Sequence, residues 1–272
     1  MSNHWLYIAN WKSYLSYKQE LALFQQNLTE LKQLTLELKS RAKTLVICPS
    51  FVTLAQAAEL LNPEILELSQ KTCVDNHLPF MVSDLEHGDK SYRTIEIKLG
   101  AQNCSSNQLG AYTGEISVDS LQQLGCNYCL VGHFERRKNY HETDLEVITK
   151  IKLLIQAQIT PIICISEIQQ LITVLDNLDL ELSNPQIIIA YEPTWAIGTG
   201  KTPTNIEIAQ FCQAVKTIIE TKFSNLKNYF IIYGGSVTAQ NITELRQIPE
   251  LNGVLIGKAS INFQELKKIV LS

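Results

Sequence analysis

Short, unbroken apolar runs alternate along the chain with longer segments in which apolar residues recur every three or four positions. The runs fall at 5–10, 45–48, 95–100, 128–131, 161–165, 186–191, 229–233 and 253–256. Continuous apolarity over so few residues is what parallel strands covered on both faces require. Between the runs the spacing turns helical. Leu21, Phe24, Leu28, Leu31 and Leu34 follow the first run, and helical segments are predicted at 54–61, 118–124, 144–157, 168–182, 206–221, 239–246 and 263–271. Thr143 precedes one of these as an N-cap, and Thr204 or Asn205 precedes another.

Strand and helix alternating eight times predicts a parallel sheet joined by right-handed crossovers. No dinucleotide-binding fingerprint follows the first strand, which favours the closed form: an α/β fold of the (β/α)8 barrel type, one domain over 1–272. The pattern breaks between the second helix and the third strand. Residues 62–93 hold two prolines, one glycine and mixed charge with little periodicity, and read as a surface insertion.

The 272 residues, 45% of them hydrophobic, suit one barrel domain. A net charge of −4 argues against general binding of nucleic acid or anionic membrane. No apolar run is long enough to span a bilayer, and the start MSNHWLYIANWK reads as a strand rather than a signal peptide, so a cytoplasmic protein is expected. Seven cysteines, an odd number, point to reduced thiols. Cys126 and Cys129 form a CxxC, but on a strand they would face opposite sides, and a zinc site lacks its second pair, so both read as packing. His77, Asp84, His87 and Asp89 match no metal-ligand spacing and read as a solvated loop. Neither group reads as a metal site.

The chemistry-bearing residues gather just after the strands, at the end where barrel active sites lie. Glu192 ends the sixth run and is followed by Pro193, Trp195, Gly198, Gly200 and Lys201, a pattern suited to a base beneath a mobile loop. A strand-end glutamate paired with a lysine is the plainer reading. Lys12 after the first run offers a cation, or a structural partner for Glu115 or Glu135. His133 after the fourth offers a near-neutral acid or electrophile, or an ordinary turn histidine. Gly198, Ser236 and Gly257 offer backbone N–H groups, and a helix start at 258–260 points to the same place, a combination suited to phosphate. Base, imidazole, cation and phosphate cradle together describe proton abstraction beside a carbonyl in a small sugar phosphate.

NWK at 10–12, GAQN at 100–103, GAYTGE at 110–115, GHFERR at 132–137, AYEPTWAIGTGK at 190–201 and YGGSV at 233–237 occur in order over nearly the whole chain. In these motifs the sequence resembles the triosephosphate isomerases. That family is a (β/α)8 barrel, usually a homodimer, which interconverts dihydroxyacetone phosphate and D-glyceraldehyde 3-phosphate without metal or cofactor. The resemblance implies that Glu192 moves the proton between carbons while His133, as a neutral imidazole, serves the two oxygens, roles already established for that family. It implies that Asn10 and Lys12 stabilise the enediolate oxygen and that Glu135 supports Lys12. It assigns the backbone N–H groups of Gly198, Ser236, Gly257 and Lys258 to phosphate, and the loop 193–201 to a lid. Thr113 would enter a partner subunit beside Asn10 and Lys12, and Cys164 in CISE matches a cysteine near the catalytic glutamate.

Five departures stand out. Phe134 replaces a serine that partners the glutamate, Lys258 replaces the second glycine of a pair, and Pro203 replaces an alanine at the lid's hinge. The 62–93 insertion is extra, and the segment after Cys164 is shortened. Two further readings stay open: a barrel paralogue with weak catalysis retained for binding or protein contacts, and an isomerase for another small phosphorylated carbonyl compound.

Overall fold

A computed structural model of the chain describes residues 4–61, 97–178, 185–195 and 202–272. Within them the order is β1 (Trp5–Asn10), α1 (Tyr17–Ser40), β2 (Lys43–Cys48), α2 (Phe51–Leu61), β3 (Ile97–Ala101), α3 (Val118–Gln123), β4 (Tyr128–Val131), α4 (Phe134–Tyr140), α5 (Asp144–Gln156), β5 (Thr160–Ile165), α6 (Ile168–Leu175), β6 (Ile187–Tyr191), α7 (Asn205–Lys222), β7 (Tyr229–Tyr233), α8 (Ile242–Leu245), β8 (Gly253–Ile256) and α9 (Phe263–Leu271). The strands pair in parallel in sequence order and close into a barrel, β8 returning to β1 with Leu6 opposite Gly253 and Ala9 opposite Ile256. The predicted (β/α)8 fold is the one observed.

Strand residues alternate between the barrel interior and the helix layer. Leu6 and Ile8 of β1, Ile188 and Ala190 of β6, Ile232 of β7 and Leu255 of β8 belong to the interior cluster. Tyr7, Ala9, Ile189 and Tyr191 belong to the outer one, packed among the helices. Two residues beyond the last interior position of each strand, the same parity delivers Asn10, Glu192, Gly234 and Gly257 to the mouth of the barrel. Closure depends on a small residue at the seam. A Cβ on Gly253 would lie 2.3 Å from the Leu6 carbonyl oxygen, so only glycine lets β8 approach β1 this closely.

The predicted caps are present: Thr143 and Glu146 close a capping box on α5, and Thr204 and Glu207 another on α7. Several sequence-based boundaries need correction. The segment after His133 is a helix, α4, which the pattern did not announce because none of its residues is buried. The helix expected over 168–182 stops at Leu175, where Asp176 and Asn177 turn the chain. The one expected over 239–246 covers only Ile242–Leu245. Strand β4 begins after Cys126, so the opposite-faces argument for the CxxC fails. Cys126 and Cys129 both join the outer core, and burial pushes the Cys126 thiol up to about 12, away from redox reactivity. The insertion at 62–93 and its four candidate ligands lie outside the described residues. The described residues that flank it are Leu61, at the end of α2, and Ile97, at the start of β3.

Candidate active site

Strand β6 carries Glu192 to the barrel mouth, and its backbone N–H donates to the Ile165 carbonyl of β5 at 2.8 Å. Its side chain is 3% exposed. Oε2 accepts the backbone N–H of Phe134 at 2.8 Å, and Oε1 lies 3.0 Å from Nε2 of His133. Burial raises the carboxyl above its usual 4.5, while His133, the Phe134 N–H and Lys12 act against that rise. The result is a carboxylate more basic than an exposed one and ordered by two donors.

His133 is the N-cap of α4, and its Nδ1 accepts the Glu135 N–H at 3.2 Å. With that lone pair engaged, the proton of a neutral ring sits on Nε2, the nitrogen facing Glu192. The turn that presents the ring is held from below. Glu142 accepts the Gly132 N–H at 3.1 Å and the Arg136 Nε at 3.3 Å, and it pairs with Lys150, which also donates to Asn103 Oδ1 at 2.9 Å. Arg137 donates to the Gly132 carbonyl at 2.9 Å and to Asp144 at 2.6 Å.

Lys12 has φ 51°, a left-handed backbone that costs a non-glycine residue energy. Three contacts over-determine it. Its N–H donates to Asn10 Oδ1 at 3.0 Å, its carbonyl accepts Gln102 Nε2 at 2.9 Å, and its Nζ pairs with Glu135 Oε1 at 2.7 Å. Of the two partners open to Lys12 on sequence grounds, Glu135 is the one it meets. Asn10 is itself buried.

These groups line one pocket of about 700 Å³, a volume suited to a small ligand. Asn10, Lys12, His133, Glu192, Ser236, Gly257 and Lys258 all border it, together with Phe134, Pro203 and Gly234. Gly198 and most of the 193–201 loop lie outside the described residues. Glu135 reaches the pocket through Lys12. Cys164 is buried behind Glu192, and burial first, then the carboxylate, raises its thiol. Thr113 stands apart from the pocket, on an exposed run at 108–115. The helix expected at 258–260 is a four-residue 3-10 turn, Lys258–Ile261, too short for a substantial dipole. Pro203 is buried and immediately precedes the Thr204 cap.

Sequence reasoning missed several supports. Gln102 was visible within GAQN, yet nothing marked it as the ligand of the Lys12 carbonyl. Gly234 was visible in YGGSV, yet its role is steric: a Cβ there would lie 3.0 Å from Glu192 Cγ and 3.2 Å from the Tyr191 carbonyl oxygen. Glu142 and Lys150 carried no signal beyond the capping threonine between them.

The triosephosphate isomerase family model matches residues 78–272. The triosephosphate isomerase of Amoebophilus asiaticus is 32% identical over 280 residues, covering 97% of this chain and 97% of that protein. That of Alkaliphilus metalliredigens is 36% identical over 233 residues, covering 80% and 94%. That of Francisella philomiragia is 38% identical over 190 residues, covering 64% and 75%. That family model covers well over half of the chain and the Amoebophilus asiaticus relative nearly all of it, and the chain belongs to the triosephosphate isomerase family.

Proposed function

We propose that this chain is an isomerase that interconverts dihydroxyacetone phosphate and D-glyceraldehyde 3-phosphate by proton transfer through an enediolate. The observation that carries the mechanism is the contact between Glu192 Oε1 and His133 Nε2, 3.0 Å apart in a pocket that Lys12 also lines. Glu192 is the base, and its raised pKa suits removal of a weakly acidic C–H proton. The substrate's carbonyl oxygen competes with Glu192 for the Nε2–H of His133. As it takes that donor it releases the carboxylate toward the carbon. Lys12 and Asn10 stabilise the charge that develops on oxygen. Glu135 positions Lys12, and Cys164 packs behind the base. The N–H groups of Gly198, Ser236, Gly257 and Lys258 hold the phosphate, and the 193–201 loop closes to exclude water. No metal or cofactor enters this scheme.

Residues 1–272 form one barrel domain in this reading, with 62–93 as its insertion. We also infer a homodimer. Leu109 is 69% exposed and Tyr112 49% exposed on the loop that carries Thr113, apolar surface that a second copy would cover. Light scattering tests this. A cytoplasmic location goes with a glycolytic and gluconeogenic role and is tested by fractionation. No described helix is long and apolar enough to cross a membrane. The weakly catalytic paralogue is not favoured, because base, imidazole and cation all keep partners that orient them.

A coupled assay with D-glyceraldehyde 3-phosphate tests the function directly. Turnover abolished in His133→Ala supports it, and a wild-type rate no greater than that of the uncatalysed reaction overturns it.

A further inference from the structure

Among the described residues two lysines border the pocket, and they differ in what already holds them. Lys12 gives its ammonium to Glu135 at 2.7 Å. Lys258 is exposed and lines the same pocket, and among the described residues it has no ion pair or side-chain hydrogen bond. It follows Gly257, where a Cβ would stand 3.6 Å from Lys12 Cε and 4.0 Å from Lys12 Nζ. Its main chain therefore begins one residue from the Lys12 ammonium. With Glu192 and Glu135 near Lys12, the fixed charges without Lys258 sum to −1, an unfavourable field for a phosphate ester that brings up to two negative charges. Lys258 brings the sum of these four to zero and, among the described residues, is the pocket lysine not already committed to a carboxylate.

We propose that the side chain of Lys258 is a second phosphate-binding cation of this pocket, added to the backbone N–H at the same position. The inference rests on the pocket being the triose phosphate site. It assigns the ammonium to the phosphate dianion and leaves the proton-transfer chemistry to Glu192 and His133. A flexible, solvated ammonium acts as a point charge, so its effect falls on affinity and its salt dependence rather than on the chemical step.

Calorimetric titration with inorganic phosphate, on the wild-type protein and on Lys258→Met and Lys258→Arg, separates this from a lysine that merely faces water. In Lys258→Met the Kd for phosphate should rise about three- to tenfold and its dependence on salt should flatten, while Lys258→Arg keeps both near wild type. In the isomerase assay KM should rise by a similar factor with kcat within about twofold. Equal phosphate affinity in wild type and Lys258→Met overturns the proposal, and so does a wild-type protein that binds no phosphate. The calorimetric arm needs no turnover. Phosphate binding that depends on Lys258 in a protein without isomerase activity would therefore remove the functional reading and leave the assignment of this cation standing.

Discussion

Phe134 holds Glu192 with its backbone, the N–H donating to Oε2 at 2.8 Å, while its ring borders the pocket 5.4 Å from the Lys138 ammonium. The carboxylate is thus neither left in water nor deprived of a donor. What this position lacks, relative to the serine usual in the family, is a hydroxyl as a second donor.

Phe134→Ser should supply that donor and favour the charged carboxylate. Glu192 loses basic function as pH falls through its pKa, which burial has raised. The acid limb of kcat/KM against pH should therefore lie above the ordinary carboxylate range in the wild type and move to lower pH in Phe134→Ser. Superimposable profiles would assign the phenylalanine to packing alone.

Glu192→Gln should lower kcat by about 10²–10⁴-fold with KM little changed, since shape and phosphate contacts persist. The same variant should be more stable at neutral pH. A folded-state pKa raised by burial gives stability that is complete at low pH and lost as pH rises through that pKa. At neutral pH the wild type carries a buried charge that glutamine lacks. Thermal melts should separate the two proteins at pH 7 and converge toward pH 4.5, and a variant less stable at pH 7 would contradict the sign.

Gly234→Ala puts a methyl group 3.0 Å from Glu192 Cγ, on a backbone fixed by the Gly234 N–H donating to the Tyr191 carbonyl at 2.8 Å. The carboxylate must move. Small displacements of a reacting group cost up to about 100-fold, so kcat should fall by roughly 10–100-fold while phosphate inhibition is unchanged. Wild-type kcat would mean that the base tolerates displacement.

Lys150→Met leaves the buried Glu142 without its closest cation. Removing one partner of such a pair costs about 3–5 kcal/mol, and Tm should fall by roughly 6–20 °C. Because Glu142 also holds the Gly132 N–H before His133, kcat should fall even well below the new Tm. Much of the lost stability should return in Glu142→Gln/Lys150→Met, where no charge is stranded. A double variant less stable than Lys150→Met would show that Glu142 acts without this pairing.

The barrel was legible because buried parallel strands leave unbroken apolar runs, and the site because its residues stand at the ends of those runs or within three positions past them. The same logic explains the omissions. Helix α4 buries nothing, so FERRKNY shows no period. Glu142 and Lys150 meet eight residues apart on a surface created by the turn at Gly132, which no local pattern encodes. Helix α6 was overextended because leucines at 178, 180 and 182 continue an apolar rhythm past Asp176 and Asn177, whose side chains favour turns. Gly234 was seen as a turn residue, whereas its contact with Glu192 exists only once β6 and β7 are paired.

The seam between β1 and β8 joins the two ends of the chain, and the pocket straddles it. Asn10 and Lys12 stand on one side, Gly257 and Lys258 on the other. Bringing Leu6 against Gly253 closes nearly the longest loop this chain can form, an event of high contact order and high entropic cost. Helices and local strand pairs can form before it; the end of the pocket lined by Gly257 and Lys258 cannot. During refolding, isomerase activity should consequently return later than the helical signal, and its appearance times the closure of the barrel.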